Sequence, residues 1–122
     1  MRQQSRHLPA FILLLLARNP RHGGAIQTDL QQNLPVLKAD SGAIYRALQQ
    51  LENEGYVTAE WDTSKPGPAV KIYSITSSGW KHLDFWRQDI EARIETLQCF
   101  VAEHTRLKRN RKTRQRANNY FG

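Results

Sequence analysis

The stretch that decides the fold is Asp40-Ser41-Gly42-Ala43-Ile44-Tyr45-Arg46-Ala47-Leu48-Gln49-Gln50-Leu51-Glu52-Asn53-Glu54-Gly55, followed by Tyr56-Val57-Thr58-Ala59-Glu60-Trp61-Asp62. Asp40 is a good helix N-cap, because its carboxylate accepts from the first free backbone N–H groups and suits the positive end of the helix dipole. Ile44, Leu48 and Leu51 then fall at steps of four and three, the spacing of one buried stripe. Gly55 stands where a left-handed C-cap is expected. The spacing therefore predicts a helix over 41–54. Tyr56 to Asp62 is rich in β-formers, with Val57, Ala59 and Trp61 alternating on one face. Thr63 to Pro68 is turn chemistry, and Val70 to Thr76 reads as a second strand with Tyr73 and Ile75 on one face.

Upstream, Leu8 to Ala17 is apolar nearly all round, which suits a helix at the centre of a domain. Asn19-Pro20 stops it, since the residue before proline is pushed out of the helical region. Gly23-Gly24 leads into a second amphipathic stretch, Ala25 to Asn33, ended by Leu34-Pro35. Helix, helix, helix and hairpin in that order make a winged helix-turn-helix over residues 1–76: mostly α, with a small β-hairpin wing. Downstream, Trp80 to Leu107 holds neither proline nor glycine. Leu83, Trp86, Ile90, Ile94, Leu97 and Val101 recur there every three or four residues. Such a helix is roughly 42 Å long, more than this small domain can cover. Residues 77–107 are thus expected as a long C-terminal dimerisation helix whose apolar stripe is met by a second copy.

The chain has 122 residues, enough for one small domain. Its formal net charge is +7, but residues 1–105 carry eleven basic and eleven acidic groups. The other seven cations lie in residues 106–116, Arg-Leu-Lys-Arg-Asn-Arg-Lys-Thr-Arg-Gln-Arg, with no acid among them. Blocks of like charge repel themselves and serve as arms for polyanions, so residues 108–122 are expected to be a basic, disordered tail. A tail that only aids solubility is the plainer alternative. The single cysteine, Cys99, excludes an intramolecular disulfide and points to a cytoplasmic setting. It is expected as an inert thiol buried near the seam. Arg2 and Arg6 before the apolar run superficially resemble a secretion signal, but the run is too short to span a bilayer and no cleavage site follows it. Glycine-rich phosphate loops, nucleophile elbows, CxxC and HExxH are all missing from the sequence. No catalytic residues, cofactor, metal site or membrane partner is expected.

With its apolar stripe buried, the helix at 41–54 presents Gly42, Tyr45, Arg46, Gln49 and Asn53, free of acidic residues; Glu52 and Glu54 come at its far end. Arginine pairs bidentately with guanine, and the amides with adenine. In helix-turn-helix proteins the N-terminal part of the second helix enters the major groove, which here is Ser41 and Gly42. Lys65 and Lys71 flank the Pro66-Gly67-Pro68 tip and suit phosphates beside that groove. The expected DNA-contacting set is Ser41, Gly42, Tyr45, Arg46, Gln49, Lys65 and Lys71. The plain alternative is that Tyr45 packs on the wing and the rest is a solvated face.

The run from Gly42 to Val57, with Gly-x-x-Tyr, Leu-x-x-Leu-Glu-x-x-Gly and a following apolar pair, resembles the signature of the PadR family of bacterial transcriptional regulators. His22-Gly23, Gly67-Pro68 with Lys71-x-Tyr73, and Thr76-x-x-Gly79 add to the resemblance, which covers roughly residues 8–90. It implies a homodimer, repression at inverted-repeat operators, and relief by small hydrophobic or aromatic compounds. The wing departs from the pattern: an Arg-Lys pair usually follows Gly-Pro, and here Ala69-Val70-Lys71 does.

The resulting reading is a sequence-specific regulator of double-stranded DNA, acting as a homodimeric repressor. An effector pocket at the dimer interface would be lined by Trp80, Phe85, Trp86 and Ile90 together with the first helix, although an aromatic stripe also serves as plain core. Two other classes compete. The neutral 1–105 segment and thinned wing suit a winged-helix protein-interaction module without DNA-binding activity. The apolar N-terminus is the one feature that suits a secreted protein or an enzyme.

Overall fold

The structure, a computed structural model, describes the backbone of residues 6–121 and the side chains of residues 6–114. Arg2 and the side chain of Arg116, both used above, lie outside the described residues. Two compact units are present, Met1–Trp86 and Arg87–Gly122.

The first unit holds α1 (Leu8–Arg18), β1 (Arg21–His22), α2 (Gly23–Asn33), a single 3-10 turn (Pro35–Leu37), α3 (Ser41–Asn53), β2 (Val57–Asp62), β3 (Val70–Ile75) and the first turns of α4 (Ser77–Phe121). Ile12 and Leu13 of α1 are fully buried against Ile26 and Leu30 of α2 and Ile44, Leu48 and Leu51 of α3, with Val57 and Tyr73 closing the sheet side. The apolar first helix is thus the middle of the core. Winged helix-turn-helix architecture, a long last helix and a small antiparallel sheet are all present.

The sheet has three strands, not two, in the order β1-β3-β2. Arg21 and His22 pair with Tyr73 and Ile72, and β2 pairs with β3 from Val57↔Ile75 to Asp62↔Val70. Two residues between a helix stop and a helix start carry no alternation, so β1 leaves no periodic signal. The alternation read in β2 also fades along the strand. Val57 is buried and Ala59 half-buried, but Trp61 is 65% exposed, because the strand leaves the core to enter the wing.

The caps follow the chemistry of the sequence. Asp40 Oδ1 accepts from the Ala43 amide at 2.7 Å, and Gly55 takes φ +82° just past α3. His22 Nδ1 accepts from Ala25 and caps α2. Thr76 ties three elements together. Its hydroxyl donates to the Gly55 carbonyl at 2.7 Å and accepts from the Gly79 amide at 3.0 Å, while its own amide donates to the Tyr56 carbonyl. Gly79 passes directly over that carbonyl: a Cβ there would lie 2.2 Å from Tyr56 O and 2.6 Å from Ile75 Cγ1.

The last helix runs on past Leu107 to Phe121. The segment expected as a disordered tail from residue 108 is therefore helical through Phe121. Lysine, arginine and glutamine are strong helix formers, and no glycine or proline interrupts them. Charge repulsion opposes them, but solvent salt screens it within about 8 Å. The helix surface beyond Trp86 carries Arg87–Glu91, Arg93–Asp89 and Arg106–Glu103 ion pairs.

The six seam residues divide. Leu83 and Trp86 pack on the core of the first unit. Ile90 is half-buried, and Ile94, Leu97 and Val101 are 48%, 65% and 61% exposed. Phe100 and Leu107, outside the three-and-four count, are exposed as well. Cys99, expected to be buried, is exposed in the chain, since no described residue covers it. Among the described residues no helix is long and apolar enough to cross a membrane.

Candidate nucleic-acid interface

Ile44, Leu48 and Leu51 fix α3 by one side, so the other side is set without further choice. Ser41, Gly42, Tyr45, Arg46, Gln49 and Asn53 are all exposed. The structure therefore brings five of the seven expected contact residues onto one continuous surface. Arg46 lies back along the helix toward its start, with Nη1 3.0 Å from where a Cβ of Gly42 would stand. A guanidinium and the first-turn amides thus occupy the same end of α3, where the helix dipole favours an anion.

Tyr45 has a second duty. Its ring covers Gly23 at the start of α2: a Cβ on Gly23 would come within 2.6 Å of Tyr45 Cε1 and 2.9 Å of its hydroxyl. The ring, 45% exposed, packs on the start of α2 and borders the groove it shares with Lys71 and Tyr73 of β3. This contact explains the glycine of His22-Gly23, and it leaves the tyrosine edge at the surface.

The two wing cations are not equivalent. Lys65 is exposed in the loop beside Asp62, whose carboxylate accepts from the Ser64 hydroxyl at 2.6 Å and the Ser64 amide at 2.9 Å. Those bonds, with the Lys65 charge, hold the Asp62 carboxyl below its ordinary range. Lys71 is engaged instead. Its Nζ donates to Glu52 Oε1 at 3.2 Å and sits 5.4 Å from the centre of the Tyr73 ring. The bond to Glu52 raises its pKa above the ordinary lysine value. Tyr45, Gln49, Glu52, Asn53, Lys71 and Tyr73 line one open groove between α3 and β3. Glu52 is therefore part of this surface, although its place near the end of the helix suggests otherwise. Because 52 follows 45 by seven residues, two helical turns, it shares the face of Tyr45 and reaches the wing. The heptad spacing is the signal that could have found it.

Three of the four residues expected at an effector pocket, Trp80, Phe85 and Trp86, belong to the first unit. Trp80 and Phe85 are 49% and 58% exposed and leave the helix roughly 140° apart. Trp86 is half-buried, its ring edge-on to His7 at 5.9 Å and its indole N–H buried without a partner among the described residues. Phe85 lies beside His82, which stacks on Tyr56 at 4.0 Å. Ile90 belongs to the other unit.

The model of the Transcriptional regulator PadR-like family matches residues 12–84, from α1 into α4. No curated protein matches the chain. Among solved structures, a transcriptional regulator from Clostridium thermocellum superposes with a TM-score of 0.71 at 22% identity, over 78% of this chain and 90% of that one. A PadR family transcription regulator from Clostridium difficile gives 0.70 at 18%, over 78% and 98%. Bacillus subtilis PadR in complex with operator DNA gives 0.61 at 29%, over 66% of this chain and 46% of that one.

Proposed function

Because the chain belongs to the PadR-like family of transcriptional regulators, we propose that it is a homodimeric repressor that reads an inverted-repeat operator in double-stranded DNA. The observation that carries this reading is the exposed first half of α3, where Ser41, Gly42, Tyr45, Arg46 and Gln49 stand with no acid among them and Arg46 lies over Gly42 at the helix start. The relative from Bacillus subtilis, 29% identical, is itself a complex with operator DNA. In this reading Ser41, Gly42, Tyr45, Arg46 and Gln49 meet the major groove, and Lys65 and Lys71 flank it on phosphate. Two copies pair through Ile90, Ile94, Leu97 and Val101, with Leu83 and Trp86 anchoring the helix to each domain. Relief by a small apolar or aromatic compound belongs to the same reading. The exposed Phe85, beside the half-buried Trp86, is the aromatic surface of one chain that such a compound would meet.

Arg46→Ala tests the assignment. It is expected to cost about 1–3 kcal/mol of discrimination between the operator and unrelated duplex, with the fold intact. Fluorescence anisotropy titrations of both duplexes measure this, and an unchanged affinity ratio would remove Arg46 from base reading.

Glu52 makes a further, opposite prediction. Lys71 must exchange the Glu52 carboxylate for a phosphate, and that carboxylate then faces the DNA. Glu52→Gln removes the competitor and a negative charge, so duplex affinity is expected to rise a few-fold at low salt. The gain should shrink as salt screens the charges. Equal affinities of variant and parent across a salt series would mean that Lys71 stays on its own chain in the complex.

A further inference from the structure

Neither α3 nor the wing uses the most strongly charged part of the molecule. From Arg106 to Arg114 the helix α4 carries Arg106, Lys108, Arg109, Arg111, Lys112 and Arg114, all exposed. The last acidic residue of the whole sequence is Glu103, and it pairs with Arg106. No ion pair joins any of the other five cations to a described residue.

At about 100° per residue, these six cations leave the helix in all directions. Leu107 is the only apolar side chain between them. Lys108, Arg109 and Lys112 nevertheless share one side and border a shallow groove along the helix with His104 and Thr105. Six charges over about 12 Å of helix give roughly one positive charge per 2 Å of axis. Double-stranded DNA carries about one negative charge per 1.7 Å.

We propose that α4 from Arg106 to Arg114 is a second, sequence-independent contact of this chain to the phosphate backbone of double-stranded DNA. The proposal extends the regulator reading above: α3 selects the sequence, and the basic helix adds affinity for any duplex. A run of cations with no acid among them complements a polyanionic backbone, and Lys108, Arg109 and Lys112 share one side that can face it. An anionic membrane surface suits a helix with an apolar face to insert, which this segment lacks. A protein partner needs buried aromatic or aliphatic anchors at the centre of the contact, and Leu107 alone does not supply them.

The test uses the full chain and a variant with Lys108, Arg109, Arg111, Lys112 and Arg114 all changed to Gln, a good helix former without charge. Binding to a random-sequence DNA duplex and to the operator is measured between 50 and 200 mM salt. The expected result is an affinity loss of about tenfold or more for both duplexes, with their ratio kept. The slope of log affinity against log salt should fall by about 0.9 for each phosphate that the variant no longer neutralises. Unchanged affinity and slope in a variant that is equally helical by circular dichroism would overturn the proposal. So would stronger binding of the parent to phosphatidylserine vesicles than to random duplex, abolished in the variant. Failure of the regulator reading looks different: the operator preference would be missing from the parent, while its salt-dependent binding to random duplex and the weakening in the variant would remain.

Discussion

Changing Ile94 and Leu97 together to Glu is expected to turn the proposed dimer into a monomer and to weaken operator binding by about 10²–10⁴-fold. The two side chains are 48% and 65% exposed in a single chain, and neither belongs to the core of the winged-helix unit. Covering an aliphatic side chain of this size contributes about 1.5–3 kcal/mol, so these positions on both protomers supply a large part of any seam. Four carboxylates in their place would oppose each other across it. Once pairing is lost, each domain binds its half-site alone, and the effective concentration that linked the two events disappears. Sedimentation equilibrium reads the mass, and anisotropy reads the affinity. Circular dichroism and thermal melting should show the winged-helix unit unchanged. A variant that remains dimeric and binds as the parent does would place the seam elsewhere on the chain.

Gly79→Ala is the largest stability effect expected from a single methyl group. The added Cβ would stand 2.2 Å from the carbonyl oxygen of Tyr56. A backbone oxygen cannot swing aside as a side chain does, and this one already accepts from the Thr76 amide. Relief requires the start of α4 to move off the sheet, which disturbs the Thr76 bonds to Gly55 and Gly79. The cost should lie near the upper end of the overpacking range, about 3 kcal/mol. For a domain of this size that lowers Tm by roughly 10 °C or more. Urea unfolding of the variant beside the parent measures it. A difference below about 0.5 kcal/mol, the scale of an ordinary surface change, would mean that the contact relaxes freely.

Much of the fold is legible in the sequence because its signals are local. Asp40, the Ile44-Leu48-Leu51 stripe and Gly55 mark the two ends and the inner face of α3 without reference to the rest of the chain. The same local logic exposes Ser41, Gly42, Tyr45, Arg46 and Gln49. What escapes is tertiary. The strand Arg21–His22 exists because Tyr73 and Ile72 lie beside it, and two residues cannot announce that. The Glu52–Lys71 bond spans nineteen positions and depends on how the wing folds back on α3. Tyr45 reads as a surface residue until Gly23 is seen beneath its ring. The extent of α4 escapes because clustered charge argues for disorder, whereas the helix propensity of Arg, Lys and Gln prevails. Cys99 reads as buried only if the seam is already closed, and one copy leaves it open.

The central claim is that α3 reads sequence and that two copies do so together. Selection of bound sequences from a random DNA pool, using the unmodified chain, tests both parts in one measurement. The account predicts enrichment of an inverted repeat whose half-site centres lie about 10–10.5 base pairs apart, or a multiple of that spacing. A bound pool no different from the input would contradict it.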